Sequence, residues 1–185
     1  VDSIITMKID QALWETAREI GRDMKAREIL LTLKPDEAAH CILDGDECPL
    51  ARQALKSFLN DYGHRTTSRD ITVPHWWDAP GQVASVIKGI LAEELPASPY
   101  LKSEAARLRM EEAMGEALKR IRRKWYGFLV KRWFVRTAQQ ARVFIGYREN
   151  QRFTLDRIMF LMRRVAIAIG KWLVKEGQLD QAEDV

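Results

Sequence analysis

Leu155, Ile158, Met162, Val165, Ile169 and Trp172 recur at alternating steps of three and four residues. That interval is the repeat of a helix with one apolar stripe; a strand, whose side chains alternate every second residue, cannot produce it. A second run, Met110, Met114, Ala117, Ile121, Trp125 and Phe128, keeps the interval and resumes at Val135, Ala138, Ala141 and Ile145. The expectation is an all-α helical bundle. Two long C-terminal helices, broken at Gly146, would pack antiparallel through buried stripes, with shorter helices before them. Gly115 and Gly127 each cost about 1 kcal/mol inside a helix and read as points where a neighbour comes close.

The shorter helices follow from punctuation. A first helix is expected over about Lys8 to Arg27, with Leu13, Ala17 and Ile20 on one face and Gly21 weakening its middle. Pro35 suits a first helical turn, where a missing N–H costs nothing, and opens a helix to about Leu43. Asp44 to Glu47 reads as a turn. Pro49 to Tyr62 gathers Ala51, Leu55, Phe58 and Leu59, and Gly63 is expected to end it in a left-handed cap. Gln82 to Glu94 places Val83, Val86, Ile87, Ile90 and Leu91 together and stops at Leu95 to Pro99. No linker divides the chain, so residues 1–185 are expected to form a single helical domain.

The charged fraction of 30% and the lack of an apolar run near the ~20 residues of a membrane span argue against insertion. No export signal is visible, so a cytoplasmic location is expected. Cys41 and Cys48 are too few for a disulfide scaffold, and with His40 they fall short of the four ligands a structural zinc needs. The net charge of +4 hides an uneven distribution. Lys119 to Arg152 carries eleven cations against Glu149 alone, leaving the remainder acidic. Such a patch can meet nucleic acid, anionic lipid or a phosphorylated small molecule.

Asp61 to Pro80 is the irregular stretch, holding His64, Arg65, His75, Trp76 and Trp77 around two prolines. His64 suits acid–base work because its ordinary pKa is near 6.5, and Arg65 can fork onto a phosphate or carboxylate. Each suits a structural role as well, a histidine at a helix end and an arginine paired with an acid, as charged loop residues usually are. Trp76 and Trp77 either wall an aromatic pocket or anchor the loop. Arg148 and Arg152, four apart, can face one anion or pair with acids elsewhere. No phosphate-cradling glycine loop and no nucleophile motif is present.

The run Phe58-Leu59-Asn60-Asp61-Tyr62-Gly63-His64-Arg65, followed by Asp70-Ile71, a proline and a tryptophan, resembles the central helical region of phosphoenolpyruvate-utilising phosphotransferases, of the phosphoenolpyruvate synthase-like and rifampicin phosphotransferase-like kinds. The run Arg148 to Phe153 and the basic-apolar pattern Met162 to Ile167 carry the likeness onward, over roughly Pro49 to Val185. The chain departs from a glycine-rich continuation at Thr66 to Arg69, which leaves the acceptor open. The resemblance implies a fragment or subunit of a larger enzyme. An ATP-grasp domain would cleave ATP with magnesium, a phosphohistidine domain would carry the phosphate, and this chain, with no cofactor of its own, would hold a pyruvate-like or other hydroxyl acceptor. His64 would then orient or deprotonate the acceptor, Arg65, Arg148 and Arg152 would supply positive charge, and Trp76 or Trp77 would close an apolar wall.

Two other readings stand beside this one. The first is a scaffold or dimerising bundle with no pocket. The second is a nucleic-acid-binding module in which aromatics near basic residues, such as Trp125, Tyr126 and Trp133, stack on bases; the place of many of these aromatics on the predicted core stripe counts against it.

Overall fold

The computed structural model describes residues 5–68, 70–93 and 97–185; Arg69 and the predicted helix stop at Leu95 and Pro96 lie outside them. Every helix expected from the periodicity has a counterpart, and no described residue is in a strand. In chain order the elements are α1 (Ile5–Arg22), α2 (Met24–Thr32), α3 (Pro35–Asp44), α4 (Pro49–Tyr62), α5 (Gly81–Ala92), α6 (Pro99–Arg122), α7 (Gly127–Lys175) and a 3-10 turn at Ala182–Asp184. The fold is all-α. The chain divides into two units, one of residues 1–11 and 96–151, the other of residues 12–95 and 152–185.

The second unit holds the core. Leu13, Ala17 and Ile20 of α1 are buried as their spacing predicts. The expected single helix to Arg27 is instead cut at Asp23. Its carboxylate accepts hydrogen bonds from the backbone N–H of Lys25 (3.1 Å) and Ala26 (3.2 Å), capping α2. Such a cap satisfies donors that would otherwise be orphaned at the helix start.

Pro35 and Pro49 open α3 and α4 where the sequence places them. Helix α3 packs against α2, α4 and α5, and α2 also meets α5. Ala38, Ala39, Ala51 and Ala84 let these helices approach while Leu30, Ile42, Leu55, Phe58, Ile87 and Leu91 fill between them. Each large side chain so buried contributes roughly 1.5–3 kcal/mol. Val86, expected on this face, is exposed because the buried arc of α5 runs through Val83, Ala84, Ile87 and Leu91. Gly63 is not left-handed: its φ is −63°. A Cβ there would run into the Leu59 carbonyl and lie 3.1 Å from the Trp77 ring, so glycine supplies room rather than an unusual backbone.

In the first unit Ser98 caps α6, accepting from the Tyr100 N–H (3.2 Å) and donating to Gln11 (3.0 Å), while Thr6 donates to Glu149 (3.0 Å). The predicted break at Gly146 is absent. Helix α7 runs unbroken through it, since a penalty of about 1 kcal/mol is easily absorbed by a long helix. The interruption falls at residues 123–126. There Lys124 N–H bonds to the Ile121 carbonyl (3.1 Å) and Gly127 N–H to that of Lys124 (2.9 Å). A Cβ on Gly127 would strike the Ile121 carbonyl oxygen, so this is a turn glycine, and Gly115 has no close neighbour either. The buried stripes are corrected too. Helix α6 buries none of its residues, and Trp125, Phe128 and Trp133 are largely exposed.

The later part of α7, in the second unit, turns a different face inward from the one expected. Asp156, Arg163 and Gly170, spaced by seven, are buried, while Leu155, Ile158, Met162, Val165, Ile169 and Trp172 are exposed. No helix is long and apolar enough to cross a membrane among the described residues.

Candidate functional site

The site is built where the end of α4, the irregular loop after it and the later part of α7 meet within the second unit. The two ends of the loop are stitched by backbone bonds from Trp77 N–H to the Gly63 carbonyl and from Trp76 N–H to that of Arg65, both 2.9 Å. Asx and hydroxyl turns order its middle, with Ser68 N–H on Thr66 Oγ1 (3.3 Å) and Thr72 N–H on Asp70 Oδ1 (3.0 Å). Arg163 fixes the loop to α7. Its Nε donates to Asp78 Oδ2 (3.1 Å) and its Nη1 to the carbonyls of Ile71 (2.7 Å) and Thr72 (2.9 Å).

These contacts leave a cleft of about 380 Å³ lined by Leu59, Asn60, Asp61, His64, Trp77, Arg157, Phe160, Leu161 and Arg164. Its walls mix apolar rings with two guanidinium groups. Arg157 lies over the Phe153 ring at 4.8 Å and Arg164 over Phe160 at 5.8 Å, so the cations are held against aromatic faces. Phe153 also meets His64 edge-on, with ring centroids 4.6 Å apart.

His64 is buried and its Nε2 has no hydrogen-bond partner. Burial, and then the positive charges of Arg157, Arg65 and His75, push its pKa down to about 4. It is therefore a neutral imidazole at pH 7, and a neutral imidazole can accept a proton or a hydrogen bond. His75, fully buried against Phe160 at 5.4 Å, is also shifted down, by burial first, with Asp78 and Asp156 opposing and Arg163 assisting.

Of the residues singled out in the sequence, His64 and Trp77 line the cleft. Arg65 is turned inward, with Nη1 3.5 Å from Asp156 Oδ2 and both side chains largely buried. A guanidinium balanced by a buried carboxylate has little charge left for a ligand. Trp76 stacks on Phe58 with centroids 5.9 Å apart, which makes it a loop anchor. Arg148 belongs to the first unit and pairs with Glu149 at 2.9 Å, while Arg152 belongs to the second and is half-buried.

Sequence reasoning missed the cleft's own cations. The repeat of Arg157, Arg164 and Lys171 every seven residues was the available signal, but periodicity cannot say what those side chains face. Arg163 stood only inside the basic-apolar pattern Met162 to Ile167, which gives no sign that it is buried.

Residues 1–149 match the family described as rifampicin phosphotransferase fourth domain. The match takes in residues 1–48, which precede the resemblance seen in the sequence. The chain is 25% identical over 182 residues to a rifampicin phosphotransferase of Streptomyces sviceus, covering 98% of this chain and 21% of the relative. It is 23% identical over 182 residues to one of Bacillus subtilis, with the same coverage, and 29% identical over 136 residues to one of a Streptomyces species, covering 73% and 16%. The chain thus spans about a fifth of the length of the curated relatives it matches. With a match over most of its length and the all-α fold described above, the chain belongs to the rifampicin phosphotransferase fourth-domain family, a helical domain of phosphotransferases.

Proposed function

We propose that this chain is the acceptor-binding helical domain of an ATP-dependent phosphotransferase that carries its phosphate on a histidine elsewhere. The observation that carries the reading is the cleft in which His64, Trp77 and Phe160 stand beside Arg157 and Arg164. An acceptor hydroxyl attacking a phosphohistidine forms a P–O bond as the P–N bond breaks, and the hydroxyl proton must leave. Neutral His64, which lines the cleft, is suited to accept it. Arg157 and Arg164 offset the charge on the arriving phosphoryl group, the part the sequence reading gave to Arg65. Trp77 and Phe160 give an apolar wall to a flat acceptor.

ATP and magnesium belong, on this reading, to the ATP-grasp domain. Among the described residues no group of three His, Cys, Asp or Glu side chains is placed to hold a metal ion. The relatives are named for rifampicin, and it is the natural first probe. Calorimetric titration of the chain with rifampicin should give a Kd in the micromolar range, weakened about tenfold by Trp77→Ala and by Arg157→Ala. Absence of binding by rifampicin and by simple phenols, or binding indifferent to both substitutions, overturns the assignment.

A second reading, nucleic-acid binding, gains from the exposure of Trp125, Tyr126 and Trp133 among lysines and arginines, since the objection that these rings are core residues no longer holds. Submicromolar binding to single-stranded probes that falls steeply with salt would favour it.

A further inference from the structure

Within the second unit, the face of α7 opposite Asp156, Arg163 and Gly170 has no cover. Leu155, Ile158, Met162, Val165, Ile169 and Trp172 are 38 to 60% exposed, in steps of three and four. That spacing is the seam by which one helix receives the side chains of another. An apolar stripe of this kind ordinarily faces a packing partner rather than water.

Charge identifies the occupant. From Arg157 to Lys175 the exposed cations are Arg157, Arg164, Lys171 and Lys175, and the helix carries no carboxylate there. A second copy laid on this seam would set cations against cations, and like charges across a helix pair disfavour it. We propose that the seam seats an acidic amphipathic helix supplied by another part of the same phosphotransferase. Its apolar residues would repeat by three and four, and its carboxylates would face Arg157, Arg164 and Lys171. The proposal rests on family membership and on this face; because Arg157 and Arg164 also line the cleft, it is tested at Ile158 and Val165, which do not. Relatives devote about four-fifths of their length to sequence outside the matched region, ample for such a helix.

The test titrates the 185-residue chain with a synthetic helical peptide of about four heptads, leucine on its seam and glutamate on both flanks, against a twin with lysine flanks. The glutamate peptide should bind, and the lysine twin should bind at least about tenfold more weakly. Ile158→Asp and Val165→Asp should abolish binding while leaving the circular dichroism spectrum unchanged, because both positions are exposed. Leu101→Asp, which removes an exposed apolar residue from the first unit, should leave binding intact. Binding of neither peptide, equal binding of both, or indifference to Val165→Asp refutes the proposal. So does a dimer of the free chain that Val165→Asp disperses, which would assign the seam to a second copy. Rifampicin binding in the Val165→Asp chain reports separately on the cleft.

Discussion

Arg163 ties the loop that carries His64 and Trp77 to helix α7, and its removal is the sharpest test of how the cleft is held. The side chain is 11% exposed and makes three hydrogen bonds, one to Asp78 and two to the backbone carbonyls of Ile71 and Thr72. Bonds to a charged group contribute roughly 1.5–3 kcal/mol each, and breaking a buried pair costs about 3–5 kcal/mol. Asp78 is a third exposed and regains water when the arginine goes, which places the loss near the lower bound. Arg163→Ala should therefore destabilise the chain by about 3 kcal/mol. Arg163→Met, which keeps the aliphatic stem, separates lost packing from lost hydrogen bonds. Arg163→Lys keeps the charge but not the fork, and should recover about 1 kcal/mol. Urea unfolding measures the loss, and amide hydrogen exchange at Thr72, Val73, Trp76 and Trp77 locates it. A loss under about 1 kcal/mol in Arg163→Ala, or loop amides as protected as before, would refute the role given to this arginine.

Three further outcomes are expected. His64 binds a proton in the unfolded chain below about pH 6.5 but in the folded chain only near pH 4. Its contribution is therefore complete above pH 6.5 and is lost as pH falls toward 4, by up to about 3 kcal/mol, with His75 acting in the same direction. Urea midpoints at pH 7 and pH 4.5 measure the loss, and His64→Asn should flatten part of the slope; an unaltered slope contradicts the assignment. Gly63→Ala pushes a Cβ against the Leu59 carbonyl and the Trp77 ring and should cost about 1–3 kcal/mol, read as a lowered Tm. Asp23→Ala removes the cap of α2 and should cost about 1 kcal/mol in the same assay; no change would mean the break between α1 and α2 is set by packing alone.

What the sequence made legible followed local rules. Helix α4 occupies Pro49–Tyr62, as the proline and the apolar spacing indicate, and α3 begins at Pro35 for the same reason. The course of α7 was not legible, because a glycine such as Gly146 weakens a helix without ending it, and the true interruption lies in a basic run with no proline. The stripes declared a face needing cover but not which polypeptide provides it. In the cleft, the loop identified His64 and Trp77. The choice between Arg65 and Arg157 depended on Asp156, a buried partner distant in sequence that no local pattern ties to Arg65.

The doubly stitched base of the loop bears on how such a domain can change its ligand. With Gly63 joined to Trp77 and Arg65 to Trp76, residues inserted after Thr67 extend a span whose ends stay fixed. Doubling such a span costs only about 0.6 kcal/mol of closure entropy. New side chains can thus be added to the loop that carries His64 and Trp77 by insertion at this one point, leaving the helices beneath it to fold as before.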